Sequence, residues 1–171
     1  DLGDQGTDKE IYRHNIRINS NEHIDDYTEM IAMLQAFDLR GTDLDEAIPK
    51  VINVDRWMRK FGMMALCGIG DVYSQGNPHN FNMYVNPATG LVEPMPLDWD
   101  FTFSGGTNSA LWGGSNIGTI IRRPIFNRIY LGHLQDMIES TFNADYMDYW
   151  LDHYGGVSKE SYRSNLSYIR S

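Results

Sequence analysis

One stretch of the sequence decides the fold, NFNMYVNPATGLVEPMPLDWDF at residues 80–101. Apolar and aromatic residues stand on both sides of PATG, a pattern typical of two strands joined by a tight turn. The stretch therefore predicts an antiparallel β-hairpin. A hairpin brings the start of its first strand to the end of its second. Asn80 and Asp98 are therefore expected to lie side by side.

Two more acidic residues flank this hairpin. Asp71 lies upstream in the turn-rich segment GDVYSQGNPH, and Asp100 follows Asp98 after one residue. Taken singly, Asp71 could cap a turn, and Asp98 and Asp100 could share one exposed face of a strand. However, two adjacent carboxylates beside an otherwise apolar hairpin repel each other unless a cation or hydrogen bonds compensate. Together these residues favour a metal site.

The residue types in this set suit phosphoryl transfer. Carboxylate and amide oxygens are the hard ligands that Mg²⁺ prefers. The transferred phosphoryl group needs one or two such ions, and a separate Asp orients the acceptor hydroxyl and takes its proton. The pattern therefore indicates a phosphotransferase. Transfer of a nucleotide uses the same ions, and the sequence leaves that product open.

The rest of the chain is predicted to be mostly helical, so the expected fold class is α+β. Helical periodicity begins at Asn21. A short helix is expected to be capped by Thr42 or Asp43 and to end near Pro49, and Asn53 is expected to cap a helix over 54–70. Residues 11–19 are predicted to be a strand or an extended arm. Pro124 is predicted to open a helix whose buried face holds Ile125, Ile129, Leu134, Met137 and Ile138. Two shorter helices are expected at about 144–153 and 158–169.

Composition narrows the class of protein. The chain has 171 residues, of which 42% are apolar, which fits one globular domain. The net charge of −9 argues against nucleic acid or an anionic membrane as a partner. No apolar run reaches 18 residues, so no membrane span is predicted. Cys67 is the one cysteine, and it is expected to be inert in the core.

The run at residues 54–103 resembles the CotH kinase family, which is named for a spore-coat protein. The shared features are an Asp after a helix, the pair His79-Asn80 opening a strand, and PLDWD at residues 96–100. The segment beginning RRPIF at residue 122 also resembles the helix that follows the family's site. The resemblance covers about residues 25–155, and Leu97 stands where the family usually has Trp.

The resemblance implies a protein-kinase-like C-lobe in which a small β-hairpin carries the site. Its members use ATP and a divalent metal, Mg²⁺ or Mn²⁺, to phosphorylate Ser or Thr in secreted or surface proteins. Carried over by position, Asp71 would be the catalytic residue and Asn80 and Asp98 metal ligands. Asp100 would hold a second ion or orient a neighbouring residue. Trp99 and His79 would be supporting residues, Trp99 for the bound nucleotide. The expected location is extracellular, or the surface of a cell or spore.

The sequence shows no Gly-rich loop before a strand lysine, as a nucleotide-binding lobe requires. We therefore expect residues 1–20 to be the tail of a missing upstream lobe and residues 21–171 to be the CotH-like C-lobe. The partners implied are that lobe and a protein substrate, and this chain in isolation is expected to lack kinase activity. The alternative is a catalytically inactive structural or adhesion module of a cell or spore surface that keeps the fold.

Overall fold

A computed structural model describes residues 3–75, 80–100, 102–103, 111–159, 161–162 and 164–170. Its two strands are β1 (Phe81–Val85) and β2 (Val92–Pro96), and single 3₁₀ turns lie at Glu22–Ile24 and Tyr73–Gln75. The α-helices are α1 (Lys9–Arg13), α2 (Thr28–Phe37), α3 (Gly41–Val51), α4 (Val54–Leu66), α5 (Ser115–Ile121), α6 (Pro124–Ser140), α7 (Ala144–Ser158) and α8 (Ser164–Ile169). The α+β, mostly helical class is confirmed. None of the described helices is both long enough and apolar enough to cross a membrane.

The predicted hairpin is confirmed. Strands β1 and β2 pair antiparallel, from Phe81 opposite Pro96 to Val85 opposite Val92. Gly90 has a left-handed φ of 70° and donates its N–H to the Asn86 carbonyl at 2.8 Å, which closes the turn. Strand β2 is shorter than predicted because Asp98 also adopts a left-handed φ, of 52°, which ends the extended conformation.

Helix α4 carries the hairpin. As predicted, Asn53 caps this helix, and its side chain accepts the Arg56 N–H at 3.2 Å. The buried Trp57 donates its indole N–H to the Val92 carbonyl at 2.8 Å. The helix ends at Leu66, earlier than predicted, because Gly68 turns left-handed and the Ile69 N–H bonds back to the Met64 carbonyl.

Cys67 lies in the core, as predicted. Its exposure is 8%, and burial raises the pKa of its thiol to about 11. A thiol with a raised pKa is protonated at neutral pH and is a poor nucleophile. Its role is therefore in packing.

Helix α6 begins at Pro124 as predicted, but its buried face is only partly correct. Leu134 and Met137 are buried and Ile129 is partly buried, whereas Ile125 is 52% exposed and Ile138 is 49% exposed. The other buried residues are Phe126 and Tyr130. The first half of the buried face is therefore rotated by one position from the predicted one, since Phe126 and Tyr130 are buried there. In the second half Leu134 and Met137 are buried as predicted, and α4 approaches closely at Gly62, where a Cβ would lie 2.9 Å from Cε of Met137.

Two further helix predictions are corrected. The helix predicted from Asn21 is interrupted at Asp25, which has a left-handed φ of 52°, so α2 begins only at Thr28. Helix α3 begins at Gly41, before Thr42 and Asp43, and it runs through Pro49 to Val51. A proline this close to the helix end removes only one hydrogen bond. Leu44 and Ile48, both 0% exposed, fix the helix to the core.

The N-terminal segment is helical over Lys9–Arg13, so the prediction of a strand or extended arm over 11–19 is wrong there. The Asp8 side chain caps this turn by accepting the Glu10 N–H at 3.0 Å. Tyr12 is 2% exposed and belongs to the same core as α4. This segment therefore packs onto the domain, while the upstream lobe stays a prediction.

The ion pairs of Asp25 are expected to make the stability of the fold depend on pH in the acidic range. Oδ2 of Asp25 lies 2.5 Å from Nη2 of Arg13 and 2.7 Å from Nζ of Lys9. These contacts, that of Arg13 first, lower the pKa of the carboxyl to about 2. An aspartate in an unfolded chain has a pKa of about 3.9. The stabilisation is therefore complete above that value and is lost as the pH falls towards 2.

We therefore expect Asp25→Asn to flatten the fall in unfolding free energy between about pH 4 and 2. Urea unfolding at several pH values in that window measures the slope. Asp136→Asn, at an exposed position on α6, is the matched control and should keep the wild-type slope. An unchanged slope in the Asp25 variant would contradict this assignment.

Candidate functional site

Two of the residues predicted for the site are in contact. Nδ2 of Asn80 lies 3.1 Å from the backbone oxygen of Asp71 and 3.3 Å from its Oδ2. Asp71 stands just before the turn Tyr73–Gln75, and Asn80 stands just before β1. Both side chains are half-buried. The structure thus joins the predicted catalytic Asp to a predicted metal ligand.

The backbone at Asn80 marks the open end of the hairpin. Asn80 has a left-handed φ of 52°, a conformation that Asn tolerates better than most residues. Its carbonyl accepts the Leu97 N–H at 2.8 Å. Strand pairing therefore continues one residue past β1 and β2, and it fixes Asn80 beside the segment that holds the acidic pair.

This register differs by one residue from the expectation. Asn80 bonds to Leu97, and Asp98 is the next residue along the chain. The offset follows from the pairing of Phe81 with Pro96. Asp98 and Asp100 are both exposed. Their coordination of a metal beside Asn80 stays a prediction, and His79 lies outside the described residues.

Trp99 stands between the two exposed aspartates. Its ring is half-buried and packs against the core. Its Nε1 is buried and has no hydrogen-bond partner within the described part of the chain. A buried donor without an acceptor costs free energy. This N–H is therefore a point at which an acceptor atom would be stabilising.

A buried contact that sequence reasoning missed supports the Asp71 segment. Tyr73, which is 1% exposed, donates its hydroxyl to Oδ1 of Asn116 on α5. Burial raises the pKa of Tyr73 well above its usual range, so the hydroxyl stays protonated and can donate. The only sequence signal was a polar aromatic residue two positions after Asp71. Nothing in the sequence pointed to Asn116 as its partner.

The hairpin is also tied to α4 by polar contacts. Glu93 on β2 is 4% exposed, and its carboxylate lies 2.5 Å from Nη1 of Arg56. Asn86 donates to the other carboxylate oxygen at 3.2 Å, and Lys60 donates to the Pro94 carbonyl. Buried charges of this kind need partners. These contacts hold the strand that leads to Leu97 and the acidic pair.

The described side chains of the site offer oxygen atoms as metal ligands. Among the described residues, no three or more His, Cys, Asp or Glu side chains form a group that could hold a metal ion. The pair brought together is the Asp71 carboxylate with the Asn80 amide. Comparisons with known protein families and with curated proteins found no match for this chain. Function is therefore argued from the geometry of this pair and its surroundings.

Proposed function

We propose that the full-length parent of this chain phosphorylates Ser or Thr in secreted or surface proteins, using ATP and Mg²⁺ or Mn²⁺. This chain would be its metal-binding catalytic lobe. The observation that carries the proposal is the contact of Asn80 with Asp71. Protein kinases place a catalytic Asp and a metal-binding Asn in one loop region, with a second metal-binding Asp nearby.

The geometry suggests a role for each atom of the pair. Nδ2 of Asn80 is directed at Asp71, which leaves Oδ1 as the amide atom suited to a cation. The Asp71 carboxylate, steadied by that amide, would orient the acceptor hydroxyl and take its proton. Tyr73, two residues after Asp71, is buried in the core, and this packing would limit the movement of the segment that holds Asp71. Such positioning is the protein's main contribution in this class of reaction.

A magnesium ion fits the chemistry of these donors. Mg²⁺ is usually held by one or two carboxylates together with substrate phosphates and water, so a closed protein cage is not required. Asn80, Asp98 and Asp100 would supply the protein oxygens. When bound, the ion would neutralise charge on the phosphates. Trp99, which is half-buried between the two acidic residues, would support the bound nucleotide with the exposed part of its ring.

A second candidate is an inactive surface or structural module that keeps the fold. Leu97 favours this candidate, because it is 45% exposed directly before Asp98. The CotH-like sequences that the chain resembles usually have Trp there. An exposed leucine at this point offers apolar surface to a binding partner and no donor to a nucleotide.

Metal titration separates the two candidates. We expect isothermal titration to show Mg²⁺ and Mn²⁺ binding to this chain that tightens with ATP. Asp98→Asn should weaken binding by about tenfold or more, because it removes one charged ligand. Asp136→Asn, at an exposed position on α6, should bind as the wild type does.

The same titration on the full-length parent serves as the check. Binding by the parent that is insensitive to Asp98→Asn would contradict the metal role of this residue. Absence of metal and ATP binding in the parent would favour the inactive module.

A further inference from the structure

A second region of the molecule has the character of a binding site. A groove of about 690 Å³ runs along the first half of α6 and the end of α5. Its lining includes Trp112, Arg122, Asn127, Arg128, Leu131 and Gln135. None of these residues belongs to the Asp71 site. The volume is in the range of ligand-binding clefts.

The charge of the groove is opposite to that of the protein. The chain carries a net charge of −9, yet Arg122 and Arg128 line the groove and none of its described lining residues is acidic. Within the described residues, neither guanidinium makes an ion pair or a side-chain hydrogen bond. By contrast, the adjacent Arg123 is held by Asp45 at 2.7 and 2.6 Å. Two unpaired guanidinium groups in one groove are complementary to an anionic ligand.

The Arg122 side chain rests on the helix that precedes it. A Cβ built on Gly118 would lie 2.9 Å from Nη1 of Arg122 and 2.8 Å from the Gly113 carbonyl oxygen. The guanidinium therefore lies directly across the backbone of α5, where the absence of a side chain makes room for it. This contact limits the conformations open to Arg122, whose side chain also lines the groove.

The shape and polarity of the groove fit an extended peptide. Asn127 and Gln135 lie eight residues apart on α6, about 12 Å along the helix axis, which an extended peptide of about four residues spans. The Asn127 amide can bond both the N–H and the C=O of a peptide backbone. Nε2 of Gln135 donates to Glu139 at 2.7 Å, so this amide offers its oxygen to a peptide N–H. Between them, Leu131 is 42% exposed, and Trp112 is half-buried against the ring of Tyr130. These two side chains offer an apolar contact beside the two arginines.

We propose that this groove binds an acidic peptide segment, with carboxylate or phosphoryl side chains reaching Arg122 and Arg128. An apolar side chain of the same peptide would pack on Trp112 and Leu131. This inference is independent of the proposed phosphoryl transfer, because it uses none of the residues of that site.

The test uses fluorescence anisotropy with four labelled peptides of equal length. The first alternates Glu and Leu, and the others replace Glu by phosphoserine, Gln or Lys. We expect the Glu and phosphoserine peptides to bind, and the Gln and Lys peptides to bind at least about tenfold more weakly, since charge-assisted hydrogen bonds supply the attraction. Binding should weaken as salt is added. Comparing Glu with phosphoserine identifies which anion the groove prefers.

Substitutions of the two arginines test whether the peptides bind in the groove. The double substitution Arg122→Gln and Arg128→Gln should weaken the Glu peptide by about tenfold or more, and both positions are exposed, so the fold should persist. Arg17→Gln is the control for loss of a positive charge elsewhere on the surface, because Arg17 is 84% exposed on the N-terminal segment, and it should leave binding unchanged.

Three outcomes would overturn the proposal. The first is equal binding of the Glu and Gln peptides, and the second is an unchanged affinity in the double variant. The third is binding of inorganic phosphate or ATP in the groove without binding of either anionic peptide. That result would assign the groove to a small anion.

Discussion

Replacing Trp57 with alanine is expected to lower the free energy of unfolding by about 3–5 kcal/mol. Trp57 is 0% exposed, and its ring centroid lies 5.5 Å from those of Phe37 and Phe61 and 5.7 Å from that of Phe81. The substitution leaves a large cavity where α4 meets the hairpin. It also removes the donor that the Val92 carbonyl accepts. A loss of this size is a large part of the stability of an ordinary domain.

Urea unfolding measures this effect. Trp57→Phe keeps an aromatic ring but loses the indole N–H, so it should cost about 1–3 kcal/mol. Tyr149→Ala is the control, because that tyrosine is 65% exposed on α7 and should change stability by less than about 0.5 kcal/mol. If Trp57→Ala cost no more than the control, the hairpin would not depend on this contact.

The second large effect concerns catalysis by the full-length parent. Under the proposed function, Asp71→Asn should lower the rate of phosphoryl transfer by roughly 10²–10⁴-fold, because it removes the general base. The bond from Asn80 to the Asp71 backbone oxygen does not depend on the carboxylate. Metal and ATP binding should therefore persist, so kcat falls while the KM for ATP changes little.

Transfer of labelled phosphate from ATP to a mixture of surface proteins is the measurement. Asp98→Asn should instead weaken activation by metal, which distinguishes a metal ligand from a base. Asp136→Asn should retain full activity. Full activity of the parent carrying Asp71→Asn would disprove the catalytic role of Asp71. An inactive wild-type parent would support the alternative of a structural module.

Local chemistry in the sequence was enough to predict several features. The hairpin follows from apolar runs around PATG, the start of α4 from the Asn53 cap, and the start of α6 from Pro124. Each depends on residues close together in the chain. The buried face of α6 could not be predicted in this way, because two neighbouring stripes of the helix have apolar residues at the same helical spacing. Burial of Phe126 and Tyr130 in the common core decides between those stripes, and it depends on residues far away in the chain.

For the candidate site as well, the sequence predicted some features and not others. The sequence supplied its residue types, since carboxylates and an amide around a hairpin suit oxygen coordination. It did not supply the register, and Asn80 proved to bond to Leu97, one residue before Asp98. The Arg122 and Arg128 groove was also missed, because its lining comes from the end of α5 and from one face of α6.

Local sequence is therefore enough to predict most of the elements and the chemistry available near the hairpin. Turn residues, helix caps and hydrophobic periodicity act over a few positions, so they can be read directly from the chain. Which polar groups meet depends instead on how the elements pack together. The bond from Tyr73 to Asn116 spans 43 residues, and the pair of Arg56 with Glu93 spans 37. Such contacts form because packing of the core removes Tyr73, Asn116 and Glu93 from water, and each must then find a partner.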